Sequence, residues 1–123
     1  MTTATSLLGI SYDCADAAAV GEFWSRLLDR PLDEGATAEF ASIGLGGGAP
    51  AGAIWMFHRV PEGRAAKNRV HVDLVSESLE KSVAQALEYG ARRLGDFDEG
   101  GYQWTTLADP EGNEFDIVAS PAG

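Results

Sequence analysis

The chain has 123 residues, 45% of them hydrophobic, and nineteen acidic groups against nine basic ones leave a formal charge of −10. That length suits a single domain spanning residues 1–123 with its own core, and the apolar share excludes a disordered acidic tail. The charge argues against nucleic acid and anionic membrane surfaces as partners. The lone cysteine, Cys14, forms no internal disulfide and no Cys-based structural zinc site. No apolar run approaches the about 20 residues of a membrane span. The first basic residue is Arg26, so no leader with a charged start is expected. The expectation is a cytoplasmic protein that does not enter a membrane.

Residues 7–14 read as a strand, with Leu8, Ile10 and Tyr12 on one parity. Asp13 or Asp16 can cap the helix predicted over 17–28. There Val20, Phe23, Trp24, Leu27 and Leu28 recur at three-to-four spacing, which makes them core. Pro31 ends the helix. A strand pattern returns around 39–45, before Gly46-Gly47-Gly48, and again over 53–60. Those glycines are no phosphate loop, since no Lys-Ser or Lys-Thr follows and no helix starts there. Residues 61–68 read as a linker.

The series then begins again. Residues 69–75 alternate and are rich in valine, hence a strand. Ser76 or Ser78 can cap a helix carrying Leu79, Val83, Ala86 and Leu87, stopped at Gly90. Strands follow at 91–97 and 102–107, joined by Gly100-Gly101. Asp109-Pro110-Glu111-Gly112-Asn113 is a strong turn signal before a last strand over 114–119. The order is strand–helix–three strands, twice: module one about 7–60, module two about 69–119. The halves superpose by pattern at an offset of about 61, which sets Ile54 on Phe115 and Ile43 on Trp104.

Three segments carry a resemblance: Phe23-Trp24-Ser25-Arg26-Leu27-Leu28-Asp29, Lys67-Asn68-Arg69-Val70-His71-Val72-Asp73-Leu74 and Asp109-Pro110-Glu111-Gly112-Asn113-Glu114-Phe115. The chain resembles the vicinal oxygen chelate superfamily of glyoxalase I, extradiol dioxygenases, and fosfomycin- and bleomycin-resistance proteins. The likeness runs over 8–118 and is nearest to the small glyoxalase-like proteins. It implies an α+β fold, in which two βαβββ modules form one curved mixed sheet around a cavity with the helices outside. It also implies a homodimer. Metal ligands in that superfamily come from the first and last strand of each module. Those positions fall here on Ile10, Trp55, His71 and Asp116, so the four-ligand site of glyoxalase I is not expected. A divalent metal enters only if His71 and Asp116 hold it with water completing the shell. His58, the other histidine, has the opposite parity to Trp55 and Phe57.

Parity sends Val70, Val72, Leu74, Phe115 and Ile117 toward the helices. It sends Arg69, His71, Asp73, Glu114, Asp116 and Val118 toward the cavity. In module one, Ile10, Tyr12, Trp55 and Phe57 take the equivalent cavity face. The expected ligand is therefore an amphipathic small molecule, with Tyr12, Trp55, Phe57 and Trp104 as ligand-binding candidates. Trp55 and Phe57 read either as a stacking wall or as filler. Which of Tyr102, Gln103 and Trp104 face inward is not fixed by the pattern.

His71 and Asp116 read either as a proton-transfer pair or partial metal site, or as a structural hydrogen bond. Arg59, Arg64, Lys67 and Arg69 read as an anion-guiding rim or as a solvated linker. Cys14 lacks a partner base that would make it a nucleophile. The reading is a small-molecule-binding protein with an incomplete metal site. The alternative is a lyase or isomerase in which His71 and Asp116 do acid–base work at a carbonyl or enol, or hold a divalent metal. Whether the chain is an enzyme stays open.

Overall fold

In the computed structural model, residues 7–45, 52–63, 66 and 68–120 are described. The chain divides into two compact units, residues 1–63 and 64–123. Each is built on its own mixed sheet, of three and four strands, with one helix apiece.

The first unit runs β1 (Gly9–Cys14), α1 (Ala17–Leu28), β2 (Phe40–Ile43) and β3 (Ile54–Arg59). Asp16 is the helix N-cap and accepts from the Ala19 amide at 3.1 Å, satisfying one donor of the first turn. The helix ends one residue before Asp29, which adopts the left-handed conformation (φ 54°), with the Arg30 amide returning to Ser25 O at 3.0 Å. β3 lies between β1, to which it is parallel, and β2, to which it is antiparallel. Where the repeated order predicts a further strand, the described residues show only the bridge Leu32↔Ile43. The reason is local. The Asp33 carboxylate takes Ser42 Oγ at 2.7 Å and the Gly44 and Leu45 amides at 3.3 and 2.8 Å, so a side chain does the joining that a ladder would.

The helix-facing side of this sheet is unambiguous. A Cβ added at Gly21 of α1 would lie 3.1–3.3 Å from Leu32, Ala41 and Phe57. Ala41, Ile43, Trp55 and Phe57 are all buried, so the odd-numbered positions of β2 and β3 pack on α1. The stripe buries Val20, Phe23 and Trp24 as expected, with Leu27 and Leu28 half-buried.

The second unit runs β4 (Val72–Ser76), α2 (Leu79–Tyr89), β5 (Arg92–Glu99), β6 (Tyr102–Ala108) and β7 (Glu114–Ala119), in sheet order β4-β7-β6-β5. Ser78 holds the N-cap position without a side-chain cap bond, while Ser76 Oγ accepts from the Ser78 amide at 3.0 Å and lies 2.6 Å from Ser82 Oγ. Gly90 closes the helix at φ 118°. Val83 and Ala86 are the buried residues of α2, which packs over β7 with lesser contact to β5 and β6. Thr105, Leu107, Phe115 and Ile117 form the buried side of the sheet. β4 begins at Val72 rather than 69, and Val70 is 81% exposed instead of packing on a helix, because the ladder to β7 starts only at Val72↔Phe115. Among the described residues, no helix is long and apolar enough to cross a membrane.

Candidate functional site

The site is built from the turn upward. Asp109 and Asn113 are buried, and the Asp109 carboxylate accepts from the Glu111 and Asn113 amides, both at 2.9 Å. Asn113 Nδ2 closes the loop onto both Asp109 oxygens at 3.2 and 3.0 Å. This is an Asx-type turn in which one carboxylate satisfies the backbone that a reversal would orphan. Asn68 then clamps the turn to the approach of β4. Its Nδ2 donates to Asn113 Oδ1 and its Oδ1 accepts from the Glu114 amide, both at 3.2 Å. The motif residues thus align two parallel strands, and His71 and Asp116 each follow three residues after a clamping asparagine.

His71 Nε2 lies 3.2 Å from Asp116 Oδ2 and 3.4 Å from Asp73 Oδ1. Thr106 donates its hydroxyl to Asp116 Oδ1 at 2.6 Å. The Asp116 side chain is 15% exposed, against 48% for His71 and 62% for Asp73. Asp116 is therefore the fixed member and His71 the accessible one. Asp73 is the register partner of Asp116, which the alternation of 69–75 places on this face. Thr106 had no signal beyond its parity, because its partner is set by cross-strand register.

Pairing across the sheet organises the face away from α2 into rows. One row is polar: Asp73↔Asp116↔Thr106↔Gly95. The next is apolar: Val75↔Val118↔Trp104↔Phe97. Phe97 and Trp104 stack, with centroids 5.3 Å apart and planes at 18°. Gly95 gives the Phe97 ring room, since a Cβ there would sit 3.3 Å from its edge. Successive same-face rows are about 7 Å apart along a strand, so an aromatic shelf borders the His–Asp cluster within one unit.

The other candidates lie elsewhere. Trp55 stacks on Trp24 of α1 at 4.9 Å, and Tyr12 sits 5.9, 6.0 and 6.0 Å from the rings of Trp24, Trp55 and Phe57. These rings form the interface between sheet and α1, which corrects the face assigned to Tyr12, Trp55, Phe57 and their neighbour Ile10. The helix stripe carries Trp24, which claims the aromatic side of the sheet. His58 accordingly falls on the face away from α1, where its ring meets Phe40 at 5.1 Å. Cys14 is buried, its thiol directed at His58 O at 3.4 Å. Arg59 faces Glu39 at 3.7 Å with both side chains exposed, and Arg69 is exposed. Arg64, Lys67 and the Gly46-Gly47-Gly48 turn lie outside the described residues.

Two strand–helix–strand units with parallel first and last strands define the α+β fold of the vicinal oxygen chelate superfamily. Within it, the chain belongs to the glyoxalase-like domain family, whose model matches residues 9–118. No curated protein shows a significant match. The fold is shared with a glyoxalase/bleomycin resistance protein/dioxygenase family enzyme from Burkholderia phytofirmans PsJN, at TM-score 0.73 and 16% identity over 93% of this chain and 98% of that one. A similar protein named for the same three activities, from Nocardioides, aligns at TM-score 0.67 and 14% identity, over 99% and 88%. A mutant of the fosfomycin resistance protein FosX from Listeria monocytogenes aligns at TM-score 0.73 and 8% identity, over 94% and 90%. That structure is complexed with Mn(II) and 1S,2S-dihydroxypropylphosphonic acid. At such identities the likeness shows the fold alone.

The His71, Asp73 and Asp116 donor atoms form a group that could hold a divalent ion. They lie within 4.8 Å of one another. Two ligands each about 2.1 Å from an ion stand about 3.0 Å apart at a right angle and about 3.4 Å apart at a tetrahedral one. The two separations from His71 Nε2, 3.2 and 3.4 Å, fall in this range. Two carboxylate oxygens with one imidazole suit a first-row divalent ion.

Proposed function

We propose that this protein binds an amphipathic aromatic small molecule on the face of the β4-β7-β6-β5 sheet away from α2. One observation carries the reading: the stacked Phe97–Trp104 pair occupies the row beside Asp116 and Thr106. A planar ring laid on that shelf sets a hydroxyl or carbonyl substituent within reach of the His71–Asp116 pair. Family membership supports a small-molecule ligand. The same reading takes the protein as a cytoplasmic homodimer. The test is a titration of labelled protein with 2-naphthol and with naphthalene, followed by amide and imidazole shifts. Saturable shifts at Trp104, Thr106 and His71 with 2-naphthol, much weaker with naphthalene, are expected. Equal responses to both, or none, would overturn it.

The three-donor cluster favours a second reading, a lyase or isomerase with a divalent ion on His71, Asp73 and Asp116. Such an ion would polarise a substrate oxygen as a Lewis acid. The chain's own part would be to fix Asp116 through Thr106 and to offer His71 Nε2 as a ligand; only without an ion is His71 placed to exchange a proton with a bound substrate. Calorimetric titration with Mn(II) decides: one ion per chain, lost in His71→Ala and in Asp116→Asn, supports this reading. No binding in the unaltered protein removes it.

A further inference from the structure

The second unit carries a separate groove, between α2 and the β5–β6 hairpin, with a volume of about 810 Å³. That lies within the usual range of small-molecule sites, about 300–1,000 Å³. α2 supplies an apolar flank of Leu79, Val83 and Leu87. Val83 is buried, whereas Leu87 is 39% exposed, so the helix stripe continues past what the sheet covers.

The charges around this flank are unbalanced. Glu77, Glu80, Asp96 and Asp98 line the groove against a single cation, Arg93. Arg93 is already engaged: its Nε and Nη2 donate to Asp96 Oδ1 at 3.1 and 2.8 Å. The buried Thr105 hydroxyl donates to the same oxygen at 2.9 Å. All three bonds converge on Oδ1 and none goes to Oδ2. The Arg93 hydrogen bond, then that of Thr105, also holds the Asp96 carboxyl below the ordinary aspartate range. Asp96 is thus a braced anion with a second oxygen to offer, beside a hydrocarbon flank and three further carboxylates.

We infer that this groove binds a small amphipathic organic cation, its ammonium group on Asp96 Oδ2 and its hydrocarbon along Leu79, Val83 and Leu87. Charge complementarity selects the occupant. An anion would meet four carboxylates, and a neutral ligand would leave them unused. Thr105 belongs to the helix-facing side of the sheet, so this site is distinct from the His71–Asp116 face. Phe97 and Trp104 border both, and the α2 flank is what separates the two sites experimentally.

The probe is 3-phenylpropylamine, titrated into labelled protein beside the neutral isostere 3-phenylpropanol. Saturable shifts at Leu79, Val83, Leu87 and Asp96 are expected, with the alcohol severalfold weaker, the loss that follows from removing an ion pair on a carboxylate that is 60% exposed. Asp96→Asn should weaken the amine by a similar factor and leave the 2-naphthol response at His71 unchanged. The double variant Glu80→Gln, Asp98→Asn keeps the Arg93–Asp96–Thr105 cluster and should weaken the amine severalfold, which covers the case of a poorly folded Asp96 variant. Equal affinity for amine and alcohol, shifts confined to other residues, or amine affinity untouched in the double variant would each overturn the proposal.

Discussion

Thr106 donates to one oxygen of Asp116 at 2.6 Å and so leaves the other facing His71. Neighbours that brace a metal-binding or reactive group commonly change affinity by about 10–100-fold when removed. Thr106→Val should lower Mn(II) affinity by about tenfold, while Thr106→Ser, which keeps the donor, stays near the parent. Calorimetry on the three proteins checks this. Matching affinities for Val and Ser variants would show that Asp116 needs no brace.

The three tryptophans separate by environment. Trp24 and Trp55 are 0% and 5% exposed, whereas Trp104 is half-buried on the shelf. A planar ligand on the proposed face should quench Trp104 alone, so Trp104→Phe abolishes quenching and Trp55→Phe preserves it. Trp55→Ala should instead cost about 3–5 kcal/mol of stability, the usual range for removing a buried aromatic. Urea unfolding of that variant and fluorescence titration of the other two measure both effects. Quenching lost with Trp55→Phe would restore the first-unit aromatics as a ligand wall.

Asn68 joins the approach of β4 to the turn before β7 through two hydrogen bonds. Asn68→Ala should destabilise the chain by about 1–3 kcal/mol, at about 0.5–1.5 per bond. It should also broaden the His71 imidazole resonance, since the clamp fixes the strand bearing Asp116. Denaturant unfolding paired with histidine spectra is the check. An unchanged midpoint would mean that the β4–β7 ladder sets the register unaided.

Asp96 has an acid-side signature. Its carboxyl is held below 3.8 by the Arg93 hydrogen bond and then the Thr105 hydroxyl. A folded value below the unfolded one contributes stability above about pH 4, lost as pH falls through the folded value. The melting-point gap between wild type and Asp96→Asn should therefore be full at pH 6 and shrink at pH 3. Exposure keeps the effect small. A gap that widens on acidification would contradict the assignment.

Much of the fold was legible because hydrophobic period and turn chemistry agree. Asp16, Gly90 and the Asp109–Asn113 turn each act where their chemistry predicts. The site was half legible. His71, Asp73 and Asp116 share a face as alternation requires, whereas the aromatic side was misassigned by one residue. Aligning the halves at an odd offset sets Ile54 on Phe115. In the structure the helix-facing residues are Trp55 and Phe57 in β3 and Phe115 and Ile117 in β7, an even offset. A slip of one exchanges the two faces of a strand. Ile54-Trp55-Met56-Phe57 is apolar at every position, so nothing in β3 announces the error. Contacts from α1, at Gly21 and Trp24, decide it. The shelf was illegible for another reason: continuous pairing from the Gly100-Gly101 turn sets Phe97 opposite Trp104, but the pattern of 102–104 does not fix which face they take, and the irregularity between Arg93 and Gly95 comes only beyond that pair.

That irregularity has a consequence for how the molecule behaves in crowded solution. β5 is one of the two edge strands of its sheet, and five of its eight residues are charged: Arg92, Arg93, Asp96, Asp98 and Glu99. A long straight outer strand invites a foreign chain to extend the ladder, and bulges and charge are the usual safeguards. Straightening β5 by deleting Leu94, with its charges exchanged for threonine, would turn a guarded border into a template for fibril growth.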